Sequence, residues 1–133
     1  MKLVIHVDGG SRGNPGPAAA AAVLRTPDGE VVAEASRVLG QATNNVAEYH
    51  GVLLGLERAR ALGATEVEIV NDSELVAKQM NGEYKVKHPD MKPLHAQAKR
   101  ALAEFAGWRI RSVPRAQNAA ADALVNEALD EAR

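Results

Sequence analysis

One long connection constrains this chain more than any other feature. Residues 44–62 (NNVAEYHGVLLGLERARAL) are rich in helix formers, and they stand between a set of strand-like segments and the β-branched run at 66–71, EVEIVN. Asn44 is the expected N-cap of that helix and Gly63 its terminator. A helix between two strands of one sheet is a crossover, and it lays the later strand parallel to an earlier one. The segments before it read as strands. Residues 2–8 (KLVIHVD) alternate and favour β structure, predicting a strand that ends at Asp8 and breaks at Gly9-Gly10. Residues 10–17 (GSRGNPGP) read as a loop. Residues 18–25 (AAAAAVLR) have a helical alanine content, but the segment is short and lies beside Pro15 and Pro17, so a strand is expected. Asp28-Gly29 marks a hairpin into a third strand over 30–39. After the crossover come a short helix over 73–80, a loop over 82–93, a helix over 94–106, a strand over 109–113 and a helix over 118–131.

The order βββαβααβα predicts an α/β fold: a five-stranded mixed sheet, three antiparallel strands then two parallel, with helices on both faces. Strand four is expected beside strand one, within a single domain over residues 1–133. Open sheets of this kind place ligands at the carboxyl ends of strands where the connection direction switches. Asp8 ends the first strand and Asp72 ends the fourth.

Composition narrows the function classes. Hydrophobic residues make up 46% of the chain, but there are only one Trp, two Tyr and one Phe, so the core is built from small and medium side chains. The net charge of -1 provides no overall positive field for a polyanion; attraction to phosphate has to come from local clusters or bound metal. The lack of cysteine excludes disulfides, thiolate metal sites and a Cys nucleophile, in keeping with a reducing cytoplasm. The opening MKLVIHVDGG has too short an apolar run for a signal peptide, and no stretch approaches the ~20 apolar residues of a membrane span. A soluble cytoplasmic protein is the expectation.

Counting around the long helix at roughly 100° per residue puts Gly51, Val52, Gly55, Ala59 and Leu62 on the side of Glu48, with Glu57 opposite. Glycines there let the helix backbone approach the sheet. On the last helix Val125 and Leu129 share the face of Asp122, while Glu127 and Glu131 point away. Two inward helix carboxylates and two at strand tips can converge, and such a cluster is tolerable only with bound cations. Four carboxylates suit two magnesium ions, which take oxygen ligands and in pairs clamp the attacking and leaving oxygens of a phosphoryl displacement. His6, His50, His88 and His95 show no zinc-ligand spacing. Singly, each acid has an ordinary alternative: Asp72 as a helix cap, Asp8 as a turn residue, Glu48 and Asp122 as solvated helix carboxylates. Lys85, Lys87 and His88 read as loop residues, Trp108 as core or a helix–sheet seam, and Arg109 and Arg111 as a solvated strand face rather than phosphate contacts.

Four blocks resemble the type 1 ribonuclease H family over nearly the whole chain: VDGGSRGNPGPAAAAAVL, ATNNVAEYHGVLLGLERA, IVNDSELVAKQMNGEYKV and VPRAQNAAADALVNEAL. The resemblance implies an endonuclease that cuts the RNA strand of an RNA/DNA hybrid with two Mg2+ or Mn2+ ions, leaving 5′-phosphate and 3′-hydroxyl ends. It implies that Asp8 and Asp72 are central ligands, that Glu48 binds one ion near the 2′-hydroxyl, and that Asp122 holds the other. It also implies that Gly9, Asn14, Thr43, Asn44 and Asn45 contact the nucleic acid, amides being suited to a 2′-hydroxyl that donates and accepts.

The chain departs from the family pattern in three places. Glu74 stands where Gln is common, Arg115 is nearest to a loop histidine that has no match, and only GEYKVKHPD remains of a basic insertion. Arg115 is expected on phosphate, since it cannot act as a base near neutral pH. The pattern is similar to a compact bacterial and archaeal branch, implying weak binding, tolerance that extends to double-stranded RNA, and a monomer. The competing readings are a non-cleaving hybrid- or RNA-binding module on this fold and a DNA nuclease of related fold.

Overall fold

The expected crossover is present. The computed structural model describes residues 1–132, with β1 (Lys2–Ser11), β2 (Gly16–Arg25), β3 (Val31–Ala42), α1 (Asn44–Ala61), β4 (Glu66–Asn71), α2 (Glu74–Met80), α3 (Lys92–Leu102), β5 (Gly107–Ser112), a 3-10 turn at Arg115–Asn118 and α4 (Ala119–Glu131). The sheet order is β3-β2-β1-β4-β5. β1 is central, antiparallel to β2 and parallel to β4, and β4 runs parallel to β5.

The alanine run is a strand because it is covered on both sides. Ala22 and Leu24 of β2 join the main core with Ile5, Val7, Val52, Leu56 and Ala59, while Ala19 and Ala21 face Val125, Ala128 and Leu129 of α4. A strand buried on both faces reads as a continuous apolar segment, without the alternation of a half-exposed one. Leu3, Ile5, Leu24, Tyr49, Leu56 and Met80 are fully buried, and truncating one of the larger aliphatic residues to Ala costs ~2–5 kcal/mol.

β1 does not stop at Asp8. Gly9, Gly10 and Ser11 stay in register with Ala20, Ala19 and Ala18, and only Arg12–Pro15 form the loop. Gly9 marks a close approach, not a strand break: a Cβ there would lie 2.1 Å from the Ala47 carbonyl carbon of α1. The same seam runs along α1, where a Cβ on Gly51 would be 2.6 Å from the Asp8 carbonyl oxygen and one on Gly55 2.7 Å from Ile5 Cγ2. The glycine-lined helix face is therefore seated on β1 as its spacing suggested.

Other boundaries differ from the sequence reading as well: β2 begins at Gly16 and β3 runs on to Ala42. Thr43, not Asn44, caps α1, its hydroxyl accepting from the Val46 N–H at 3.3 Å. Leu62 lies at the helix C-cap and is 45% exposed, because the chain turns into Gly63 (φ +83°) before that face is covered. α3 starts at Lys92, since Pro93 is tolerated in a first helical turn, and it ends at Leu102 so that β5 can begin at Gly107. Residues 115–118 form a separate 3-10 turn ahead of α4. Among the described residues no helix is long and apolar enough to cross a membrane.

Candidate active site

Three elements deliver acidic side chains to one end of the sheet. Asp8 lies on β1 opposite Ala21, Glu48 is on the second turn of α1, and Asp72 follows the last residue of β4. The Asp72 position is held by Asn71, whose Oδ1 accepts from the Ser73 N–H at 2.7 Å while Ser73 Oγ caps α2. One carboxylate oxygen from each of Asp8, Glu48 and Asp72 lies within 4.8 Å of the others. Asp122, on the first turn of α4, stands outside that trio, yet all four acids line one cleft of about 510 Å³ with Asn44, Asn45, Arg115 and Asn126.

The seam explains why two of these acids are held in place. Glu48 is only 6% exposed, and its Oε1 accepts the Gly9 N–H at 3.0 Å. Its Oε2 is buried with no partner. Burial pushes the Asp8 carboxyl up to about 6, and the nearby Asp72 and Asp122 charges push it the same way. Glu48 is held well above the usual carboxylate range, first by burial and then by the neighbouring Asp8 and Asp72 carboxylates. Asp72 is raised by burial, with the Arg115 guanidinium working against this. This end of the sheet is short of positive charge, and an orphaned buried carboxylate oxygen is where a cation compensates. The donor set is all oxygen, matching a hard divalent ion such as Mg2+ or Mn2+ rather than zinc.

Asn44 and Asn45 line the cleft, while Asn14 lies outside its lining. Asn14 Oδ1 accepts the Asn44 N–H at 3.0 Å, and Asn44 Oδ1 accepts the Ser11 N–H at 2.9 Å. Both side chains are exposed, and neither NH2 group donates to another described residue. Thr43 spends its hydroxyl on the helix cap, and Gly9 its N–H on Glu48, so both residues support the site from within the protein. Arg115 Nη2 is 3.1 Å from Asp122 Oδ1. Glu74 pairs with Lys78 at 2.7 Å, and Trp108 is exposed on β5 with Lys99 Nζ 5.0 Å from its ring centre, neither core nor a helix–sheet seam.

Three supporting residues escaped the sequence reading. Asn118, 1% exposed, donates through Nδ2 to the Val7 carbonyl at 2.8 Å and ties the start of α4 to β1 beside Asp8. Asn126 donates to the Asp122 carbonyl at 3.2 Å and approaches its Oδ2 at 3.4 Å. Arg12 crosses from the 12–15 loop to α4, reaching Asp130 at 2.7 Å and the Asn126 carbonyl at 3.2 Å. Asn118 stands one turn before Asp122, and that spacing is the only trace of its role in the sequence.

Residues 6–128 match the Reverse transcriptase-like family. The chain is similar to a bifunctional protein of Mycobacterium tuberculosis, 52% identical over 133 residues, which cover 99% of this chain and 36% of that protein. The N-terminal RNase H domain of that protein, solved as a fusion with maltose binding protein, superposes with a TM-score of 0.96 at 51% identity, over 99% of this chain and 96% of that one. Ribonuclease HI of Halobacterium salinarum is 47% identical over 127 residues, covering 96% of this chain and 64% of its own length, and the RNase H1 crystal structure from that archaeon gives a TM-score of 0.96 at 45% identity over 98% and 99% of the two chains. LC11-RNase H1, solved in complex with an RNA/DNA hybrid, gives 0.93 at 41% identity over 98% of each chain. Fold and acidic cleft thus agree with the class these comparisons define. The chain belongs to the ribonuclease H family. It spans about a third of the mycobacterial relatives, 36% of their length.

Proposed function

We propose that this chain is an endoribonuclease that hydrolyses the RNA strand of RNA/DNA hybrids with two divalent ions, Mg2+ or Mn2+. The observation that carries this reading is the trio Asp8, Glu48 and Asp72, with oxygens within 4.8 Å of one another and one buried Glu48 oxygen unpartnered. These three would hold one ion, and Asp122 with Asp8 or Asp72 the other. The bound ions would supply Lewis-acid stabilisation of the charge that builds on the attacking and leaving oxygens.

The remaining tasks fall to protein groups. The buried Glu48 is fixed by the Gly9 N–H, so its free oxygen keeps one orientation. Asn14 and Asn44, their carbonyl oxygens already engaged, offer NH2 groups outward toward sugar hydroxyl and phosphate oxygens, with Asn45 beside Asn44 in the cleft. Arg115, always charged, suits a phosphate oxygen. Water oxygen joins phosphorus as the bond to O3′ breaks, giving a 5′-phosphate and a 3′-hydroxyl end. The hybrid-bound LC11-RNase H1 supports this choice of substrate, and double-stranded RNA is a second candidate.

The test is cleavage of end-labelled hybrid, duplex RNA and duplex DNA with Mg2+ or Mn2+, for wild type and for Asp8→Asn and Asp72→Asn. Internal cuts in the RNA strand of the hybrid are expected, with a loss on the order of 10³-fold in each variant at unchanged circular dichroism. Undiminished cutting by both variants would overturn the assignment. Hybrid binding without cleavage under either metal would favour a binding module, and cutting of DNA alone a nuclease of different specificity.

A further inference from the structure

The fourth acid differs from the other three in its neighbour. Asp122 Oδ1 lies 3.1 Å from the Arg115 guanidinium, whereas among the described residues Asp8, Glu48 and Asp72 form no salt bridge. Asn126 holds the other side of Asp122, its Nδ2 3.4 Å from Oδ2. The carboxylate is thus already furnished with a cation and a donor. Arg115 is borne on the 3-10 turn just before α4, with its side chain 76% exposed, and its charge reaches Asp72 and Asp8 as well as Asp122. Such a group is tethered to the cleft yet free to leave it.

Resting on the reading that divalent ions bind these carboxylates, we propose that Arg115 is a tethered cation that holds Asp122 against the second ion, so that guanidinium and ion occupy the fourth carboxylate alternately. The first ion goes to the buried trio, which lacks any such competitor. The second has to displace a guanidinium, and the displaced Arg115 is then free to take a phosphate oxygen. By linkage, phosphate held by Arg115 favours the second ion, and the second ion favours phosphate. An exposed ion pair is a weak competitor, so the effect on second-ion affinity is expected to be about threefold to tenfold.

The experiment is calorimetric titration of Mn2+ into wild type, Arg115→Gln and Arg115→Lys, together with the Arg115 Nε–H signal of the wild type during Mg2+ titration. Two ions of unequal affinity are expected, the weaker binding about threefold to tenfold more tightly to Arg115→Gln, with Arg115→Lys close to wild type. The Nε–H signal should shift in step with the second ion and not the first. Equal second-ion affinity in wild type and Arg115→Gln, with the first ion bound to both, would refute the exchange while leaving the metal site intact. No ion bound to any of the three proteins would sink the metal reading itself, and the exchange with it.

Discussion

The β1–α1 seam and the Arg115–α4 rim both present carboxylates to the same cleft, and they do so by opposite means. At the seam, backbone meets backbone at Gly9 and Gly51, Gly55 leaves room for the Ile5 and Val7 side chains, and Asp8 and Glu48 are buried where they stand. At the rim, Asp122 is positioned by an exposed arginine and by Asn126 one turn further along α4. Burial raises the pKa of Asp8 and Glu48, whereas the rim acid is already neutralised by a neighbouring charge. The seam stores an unmet need for positive charge, and the rim meets its own.

The largest way to break that contrast is to fill the seam. Gly9→Ala pushes a methyl group into the Ala47 carbonyl, and with backbone on both sides it should lower stability by about 3 kcal/mol or more, read as a fall in urea midpoint at unchanged slope. A wild-type midpoint would mean that the helix rides more loosely on β1 than its geometry implies. Asn118→Ala tests the tie between the two regions: losing the bond to the Val7 carbonyl inside the protein should cost about 1–3 kcal/mol in the same assay and lower cleavage as α4 shifts.

A third measurement uses pH. An acid whose folded pKa lies above its unfolded value binds protons better when folded, so the metal-free protein should lose stability as pH rises from about 4, the Asp8 share being fully lost above about 6. Mg2+ should restore it, so the gain in Tm on adding Mg2+ is expected to be a few degrees larger at pH 7.5 than at pH 5. A gain independent of pH would separate the ion from the buried acids. The smallest effect belongs to the rim: Arg115→Ala should leave the metal-free urea midpoint nearly unchanged, because the pair is open to water.

The same contrast governs what was legible in the sequence. Strand order followed from one crossover helix, and the inward faces of Glu48 and Asp122 followed from helical periodicity, since both are properties of local pattern. Gly9-Gly10 misled because glycine serves a turn and a close backbone approach equally well, and only α1 lying over β1 decides between them. Asn118 was invisible because its partner, the Val7 carbonyl, is 111 residues away. That Asp122 would face Arg115 instead of joining the trio turns on how the 3-10 turn at 115–118 orients its side chains, which no hydrophobic spacing encodes.

β1 is the middle strand, and Val4, Ile5 and His6, just ahead of Asp8, pair with β2 on one side and β4 on the other. None of these three amides can reach bulk solvent by fraying at an edge, so they should exchange with deuterium only when the entire molecule opens, while those of residues 115–118 exchange through subglobal events. Thermal agitation would then erase the rim of the cleft long before its floor.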